Sequence, residues 1–163
     1  TSLEEAVVDM LKEQEMTLSL AESCTGGAIA ARIVNVSGAS EVFLQGMVTY
    51  SNKAKRRCLD VSKSTLKKHG AVSEECAAEM AKGGRKASKT DICLSVTGIA
   101  GPGGGTKEKP VGTVFMGCSY KGCTQVREFH FQGNRARVRE QTVAHGLAFL
   151  RDCMMERADK QDK

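Results

Sequence analysis

A chain of 163 residues is long enough to bury one full core, and 40% hydrophobic with 26% charged residues is the balance of a folded globular domain, not of a disordered chain. A net charge of +5 suits anionic small molecules, but two Tyr, five Phe and no Trp leave little from which to build a base-stacking surface, so nucleic acid is not the expected partner. No apolar run approaches the roughly 20 residues of a membrane span, and no secretory signal opens the chain, which points to the cytoplasm and away from a membrane.

Leu3, Ala6, Val7, Met10 and Leu11 recur at helical spacing and predict an amphipathic helix over residues 2–15. Thr17, Ser19 and Ala21 then alternate with Leu18 and Leu20, the period of a strand. Ile29, Ile33 and Val34 resume helical spacing behind Gly26 and Gly27, so AESCTGGAIAARIV is the end of a strand, a tight turn and a helix. Residues 42–50 predict a second strand, followed by a helix from Asn52 to a break near His69-Gly70. A further helix runs over residues 73–87, started by Ser73 with Glu74 and Glu75. Asp91 to Thr97 reads as a buried strand that empties into the glycine loop TGIAGPGGGTKEKPVGT. Residues 111–119 and 123–131 pair as a hairpin around Tyr120-Lys121-Gly122. Asn134 caps a last helix with Ala136, Val143, Leu147, Leu150 and Met154 on one stripe. Helices alternating with strands, and a late hairpin, predict a three-layer α/β/α sandwich with a mixed sheet. Residues 1–156 form a single domain in this reading, and residues 157–163 a disordered tail.

Seven cysteines, with no CxxC pair and no zinc spacing, read as reduced and mostly buried thiols. The basic cluster Lys53 to Arg57 reads as a solvated helix face as readily as a binding one.

Ligands of open α/β sheets gather outside the carboxyl ends of the strands. Ser23, Tyr50 and Thr97 each close a predicted strand, so all three converge on one rim. A hydroxyl nucleophile needs a base, and none of the three histidines falls at that rim. The helix after Tyr50 offers Lys53 and Lys55, which lie roughly 200° apart around its axis. Lys55 shares its face with Cys58 and Leu59, so Lys55 faces inward and Lys53 outward. Burial, the first turn of a helix, and the neighbouring Arg56 and Arg57 all favour a neutral amine; a lysine snorkelling over an apolar face is the alternative. Cys24, adjacent and intrinsically the stronger nucleophile, competes with Ser23, and sequence geometry alone leaves both open. The glycine loop is neither a Walker A loop nor a GxGxxG turn; it offers backbone amides to an anion or is simply mobile. Arg135 and Arg139, one turn apart with Arg137 turned away, form a phosphate clamp or a solvated pair.

The motifs AESCTGG at 21–27, VTYSNKAK at 48–55, GAVS at 70–73, TGIAGPGGG at 97–105 and KPVGTV at 109–114 occur in order along nearly the whole chain. In them the chain resembles the CinA C-terminal domain family, including its stand-alone nicotinamide-nucleotide amidohydrolases. The resemblance implies hydrolysis of nicotinamide mononucleotide to nicotinic acid mononucleotide and ammonia, with no metal and no redox cofactor. It implies Ser23 as nucleophile, Lys55 as base, and Tyr50 relaying or positioning the proton. Gly26 and Gly27 would offer amides to the oxyanion, and Thr25 a helix cap or ligand contact. Thr97, Gly98, Gly101 and Gly103 of the glycine loop, with Arg135 or Arg139, would hold the phosphate. A homo-oligomer such as a dimer is expected, and many members carry an additional N-terminal domain, absent from these 163 residues. The other reading is a non-catalytic nucleotide-binding module serving a partner domain.

Overall fold

The computed structural model describes residues 1–161. Ser2 starts the first helix, α1 (Leu3–Glu13), with a reciprocal cap in which its hydroxyl accepts from the Glu5 amide at 3.2 Å and the Glu5 carboxylate reaches back. The chain continues through β1 (Leu18–Glu22), α2 (Ala28–Ile33), β2 (Phe43–Val48), α3 (Asn52–Leu59), α4 (Lys63–His69), α5 (Glu74–Ser88), β3 (Ile92–Gly98), β4 (Thr113–Tyr120), β5 (Cys123–His130) and α6 (Arg135–Gln161).

The five strands lie in the order β2-β1-β3-β4-β5. β1 pairs in parallel with β2 and β3, while β4 runs antiparallel to β3 and β5. The sheet is therefore mixed, and its parallel half carries the helical crossovers. β1 is buried on both faces, as a central parallel strand must be. Leu18 and Leu20 enter the larger core with Ile29, Ile33, Leu94, Met116, Leu147 and Leu150, beneath α1, α2 and α6. Ala21 and Cys93 face the other way, into a smaller core with Leu59, Val61, Cys76 and Met80 beneath α3 and α5.

Two glycines set how closely that second layer sits. A Cβ at Gly83 would fall 1.7 Å from the Leu59 carbonyl oxygen, so α5 crosses the end of α3 in backbone contact; one at Gly84 would fall 2.6 Å from Cys93 Sγ on the sheet. Only hydrogen fits at either position.

The structure departs from the sequence reading in three places. The helix expected from Asn52 to His69 is two helices. Asp60, at φ 56°, ends α3 in the left-handed region, and the Ser62 hydroxyl starts α4 by accepting from the Thr65 amide at 3.1 Å. Ala136 is exposed, and Val138 takes its place on the buried stripe of α6. The tail expected to be disordered from residue 157 is helical as far as Gln161, the end of α6, and residues 162 and 163 lie outside the described residues. No helix among the described residues is long and apolar enough to cross a membrane.

Candidate active site

β1 hands the chain to the site without losing register. Ser23 still donates its amide to the Val96 carbonyl at 3.1 Å, so the pleat continues one residue past Glu22. Alternation then sends Glu22 toward α2 and Ser23 to the opposite face, the one covered by α3 and α5. There the chain turns. Gly26 donates its amide to the Ser23 carbonyl at 3.0 Å, and Gly26 (φ 60°) and Gly27 (φ 100°) adopt the left-handed conformation that glycine accepts without strain.

Lys55 arrives at Ser23 from α3. Ser51 caps that helix by accepting from the Ala54 amide at 3.0 Å, and the Lys55 side chain runs inward until only 1% of the residue is exposed. Its Nζ lies 2.9 Å from Ser23 Oγ, 2.8 Å from the Thr49 carbonyl oxygen and 3.4 Å from that of Tyr50. Lys53 is exposed, as its helical phase requires. Burial pushes the Lys55 ammonium below its ordinary value. Arg56 and Arg57, expected to contribute, are exposed, and desolvation is the cause of the lowering. The two thiols nearest in charge, Cys24 and Cys76, are each raised to about 11, chiefly by burial, and so are neutral near pH 7 and offer no counter-charge.

The geometry also separates the two candidate nucleophiles. Lys55 Nζ donates to Ser23 Oγ and to the backbone carbonyls of Thr49 and Tyr50, so the serine hydroxyl is its side-chain partner. Cys24 is also on the wall of the cavity, and its burial raises the thiol to about 11, but the hydrogen bond from Lys55 goes to the Ser23 hydroxyl.

Ser23, Cys24 and Lys55 open on a cavity of about 290 Å³. Thr97, Gly98, Gly101, Gly103 and Arg135 line it as expected, joined by Asn52, Ala71, Val72, Ile99 and Ala100. The Thr97 hydroxyl is already donated to the Ala71 carbonyl at 2.9 Å, so Thr97 shapes the wall. Arg135 spans the mouth, donating to the Gly101 carbonyl at 2.8 Å and to the Tyr50 hydroxyl at 3.0 Å. Tyr50 also lines the cavity, at the rim where it was expected. Its phenol is exposed and bonded to Arg135, and only its backbone carbonyl touches Lys55, so it does not stand between Ser23 and Lys55 as a relay.

Four other expected contacts fall outside the cavity lining. Thr25 donates its hydroxyl to the Glu22 carboxylate at 2.5 Å, fully buried. The Gly26 amide is committed to Ser23, and Gly27 serves as the residue before α2. Arg139 turns to the back of the turn and donates to the carbonyls of Cys24 at 3.0 Å and Thr25 at 2.9 Å.

Glu22 escaped the sequence reading. It is 1% exposed, and besides the Thr25 hydroxyl it accepts the amides of Ile29 and Ala30, each at 3.0 Å. A carboxylate on the first turn of a helix is favourably placed by the backbone dipoles. The available signal was an acidic residue ending a strand just ahead of a helix whose own preceding residue, Gly27, has no side chain to cap it. Histidines are absent from the site: His69 meets Glu75, His130 meets Glu128, and His145 packs on Phe129 and Phe131. No cluster of three or more potential metal ligands occurs among the described residues.

The fold and site together define an α/β protein with a mixed sheet and a buried serine–lysine pair at the carboxyl rim of its parallel strands. The model of the CinA C-terminal domain matches residues 1–154, and the chain belongs to that family. It is 54% identical over 150 residues to a Clostridium perfringens protein described as competence-damage inducible, covering 92% of this chain and 36% of that one. It is 51% identical over 154 residues to a CinA-like protein of Kosmotoga olearia, covering 94% and 37%. The chain thus spans little more than a third of the length of these curated relatives. Among solved structures, the competence/damage inducible protein CihA of Agrobacterium tumefaciens superposes with a TM-score of 0.87 at 39% identity, covering 91% of this chain and 93% of that one. A CinA superfamily protein of Klebsiella pneumoniae superposes with a TM-score of 0.90 at 33% identity, covering 96% and 99%.

Proposed function

We propose that the protein hydrolyses the amide of nicotinamide mononucleotide through a Ser23–Lys55 acyl-enzyme. The observation that carries this reading is the 2.9 Å contact between Lys55 Nζ and Ser23 Oγ, made by an amine whose other partners are backbone carbonyls. Neutral Lys55 takes the proton of Ser23 as Oγ forms a bond to the carboxamide carbon. The resulting ammonium returns that proton to the departing nitrogen, the C–N bond breaks and ammonia leaves. Water then attacks the ester, Lys55 again accepts the proton, and Oγ leaves reprotonated with the carboxylate as product. Ala71, Val72, Ile99 and Ala100 supply apolar wall for the pyridine ring, and Arg135 stands at the mouth as the cation for the phosphate.

The direct test is incubation with nicotinamide mononucleotide while ammonia and the acid product are measured. Stoichiometric formation of both supports the reading; a folded protein that binds the nucleotide without turning it over identifies a binding module instead.

Lys55 also dictates a pH dependence. Its folded-state value lies below the ordinary 10.5, so kcat rises with pH through that lowered value and levels off before pH 10.5. The stability change has the same sign. Between the two values the unfolded chain binds the extra proton, so stability also rises with pH across that window. Initial rates and denaturation midpoints from pH 6 to 11.5 check both; a kcat limb centred at or above 10.5 contradicts the assignment.

A further inference from the structure

We infer that Arg139 is a positioning residue of the nucleophile turn, and that with the buried Glu22 carboxylate it clamps residues 23–27 from two sides. Its catalytic purpose rests on the serine–lysine reading above.

The turn needs holding. It carries Ser23 past the end of β1 on two glycines in left-handed conformation, and glycine loses more backbone freedom on ordering than any other residue. Its side chains are small and supply little packing. The bonds come instead from outside the turn. On the α2 side, Glu22 fixes Thr25 Oγ1 and the first amides of α2. On the α6 side, Arg139 Nε and Nη2 reach the successive carbonyls of Cys24 and Thr25. A guanidinium suits this task because its fork presents two rigidly spaced donors; a lysine at the same place satisfies one carbonyl at a time.

α6 divides two tasks between arginines one turn apart. Arg135 spans the cavity mouth, while Arg139 is absent from the cavity lining and lies behind the turn. A phosphate ligand would have to face the cavity. Arg139 faces the backbone that sets the direction of Ser23 Oγ toward Lys55. A displacement of about 1 Å at a reacting atom can cost roughly 100-fold in rate, so its loss should appear in kcat.

The test uses diisopropyl fluorophosphate, an uncharged reagent that labels a nucleophilic serine without needing a phosphate grip. Expected for Arg139→Met is labelling of Ser23 slower by about 10- to 100-fold, an equal fall in kcat for nicotinamide mononucleotide, and KM within about twofold of wild type. Arg139→Lys should fall between, and added guanidinium should restore part of the labelling rate in Arg139→Ala. Glu22→Gln should likewise lower kcat and spare KM. A raised KM with unchanged labelling makes Arg139 a phosphate ligand and overturns the proposal. So does a lowered melting temperature with unchanged labelling per folded molecule, which is the mark of a purely structural role. If Arg139→Met does not fold, Arg139→Lys carries the same comparison. If wild type neither labels nor turns over, the serine–lysine reading fails on its own, and amide hydrogen exchange of residues 23–27 decides the clamp. Faster exchange in the Arg139 variant supports it, and equal exchange overturns it.

Discussion

Ser23→Ala and Lys55→Met should each lower kcat by about ten-thousand-fold or more, and the double variant should be no worse than either single one. A nucleophile and its base act as one unit, so their losses do not add. The expectation follows from the 2.9 Å contact and from the absence of a second base near Ser23, since none of the three histidines lines the cavity. Lys55→Met keeps a buried side chain as far as Cε and removes only the terminal amine, so its effect reads mainly the amine. Cys24→Ala is the matched control. The Lys55 amine contacts the Ser23 hydroxyl, so most activity should survive removal of the Cys24 thiol. A Cys24→Ala protein as inactive as Ser23→Ala would transfer the nucleophile to the sulfur.

Gly83→Ala is the largest stability change the fold predicts from a single methyl group. The new Cβ would fall 1.7 Å from the Leu59 carbonyl oxygen, an impossible contact with backbone on the other side. α3 and α5 must separate, and overpacking of this kind costs about 3 kcal/mol, or roughly 6–12 °C in melting temperature for a domain of this size. Because α3 carries Lys55 as well as Leu59, the same shift should loosen the pair, and kcat should fall alongside stability. Gly103→Ala is the comparison: nothing lies within 4 Å of the place its methyl group would take, and stability should hold within about 0.5 kcal/mol. Urea denaturation of the three proteins checks both.

The parts of this architecture legible in the sequence were those set by local periodicity. Helical phase alone turned Lys55 inward and Lys53 outward, and the structure places them so. The ends of the predicted strands brought Ser23 and Thr97 to one rim, where both line the same cavity. Phase did not settle everything on that helix: Cys58, placed with Lys55 and Leu59 on the inward face, is exposed, while Leu59 is buried. What escaped was tertiary. Whether an arginine on α6 reaches forward to the cavity or back to a carbonyl depends on how the helix crosses α2, and Arg135 and Arg139 share a helical face while doing opposite things. Glu22 was hidden for a related reason, since a carboxylate in a strand reads as solvated until the helix it caps folds over it. Tyr50 was placed correctly at the rim, but its phenol direction follows from Arg135, which lies 85 residues away along the chain.

The central claim is a covalent bond at Ser23, and the most direct measurement is mass spectrometry of protein quenched in acid during turnover of nicotinamide mononucleotide. The expected result is an adduct of the substrate less ammonia, mapped to the peptide holding Ser23, present in Cys24→Ala and absent in Ser23→Ala. Turnover with no adduct on Ser23, or an adduct that stays in Ser23→Ala and disappears in Cys24→Ala, would contradict it.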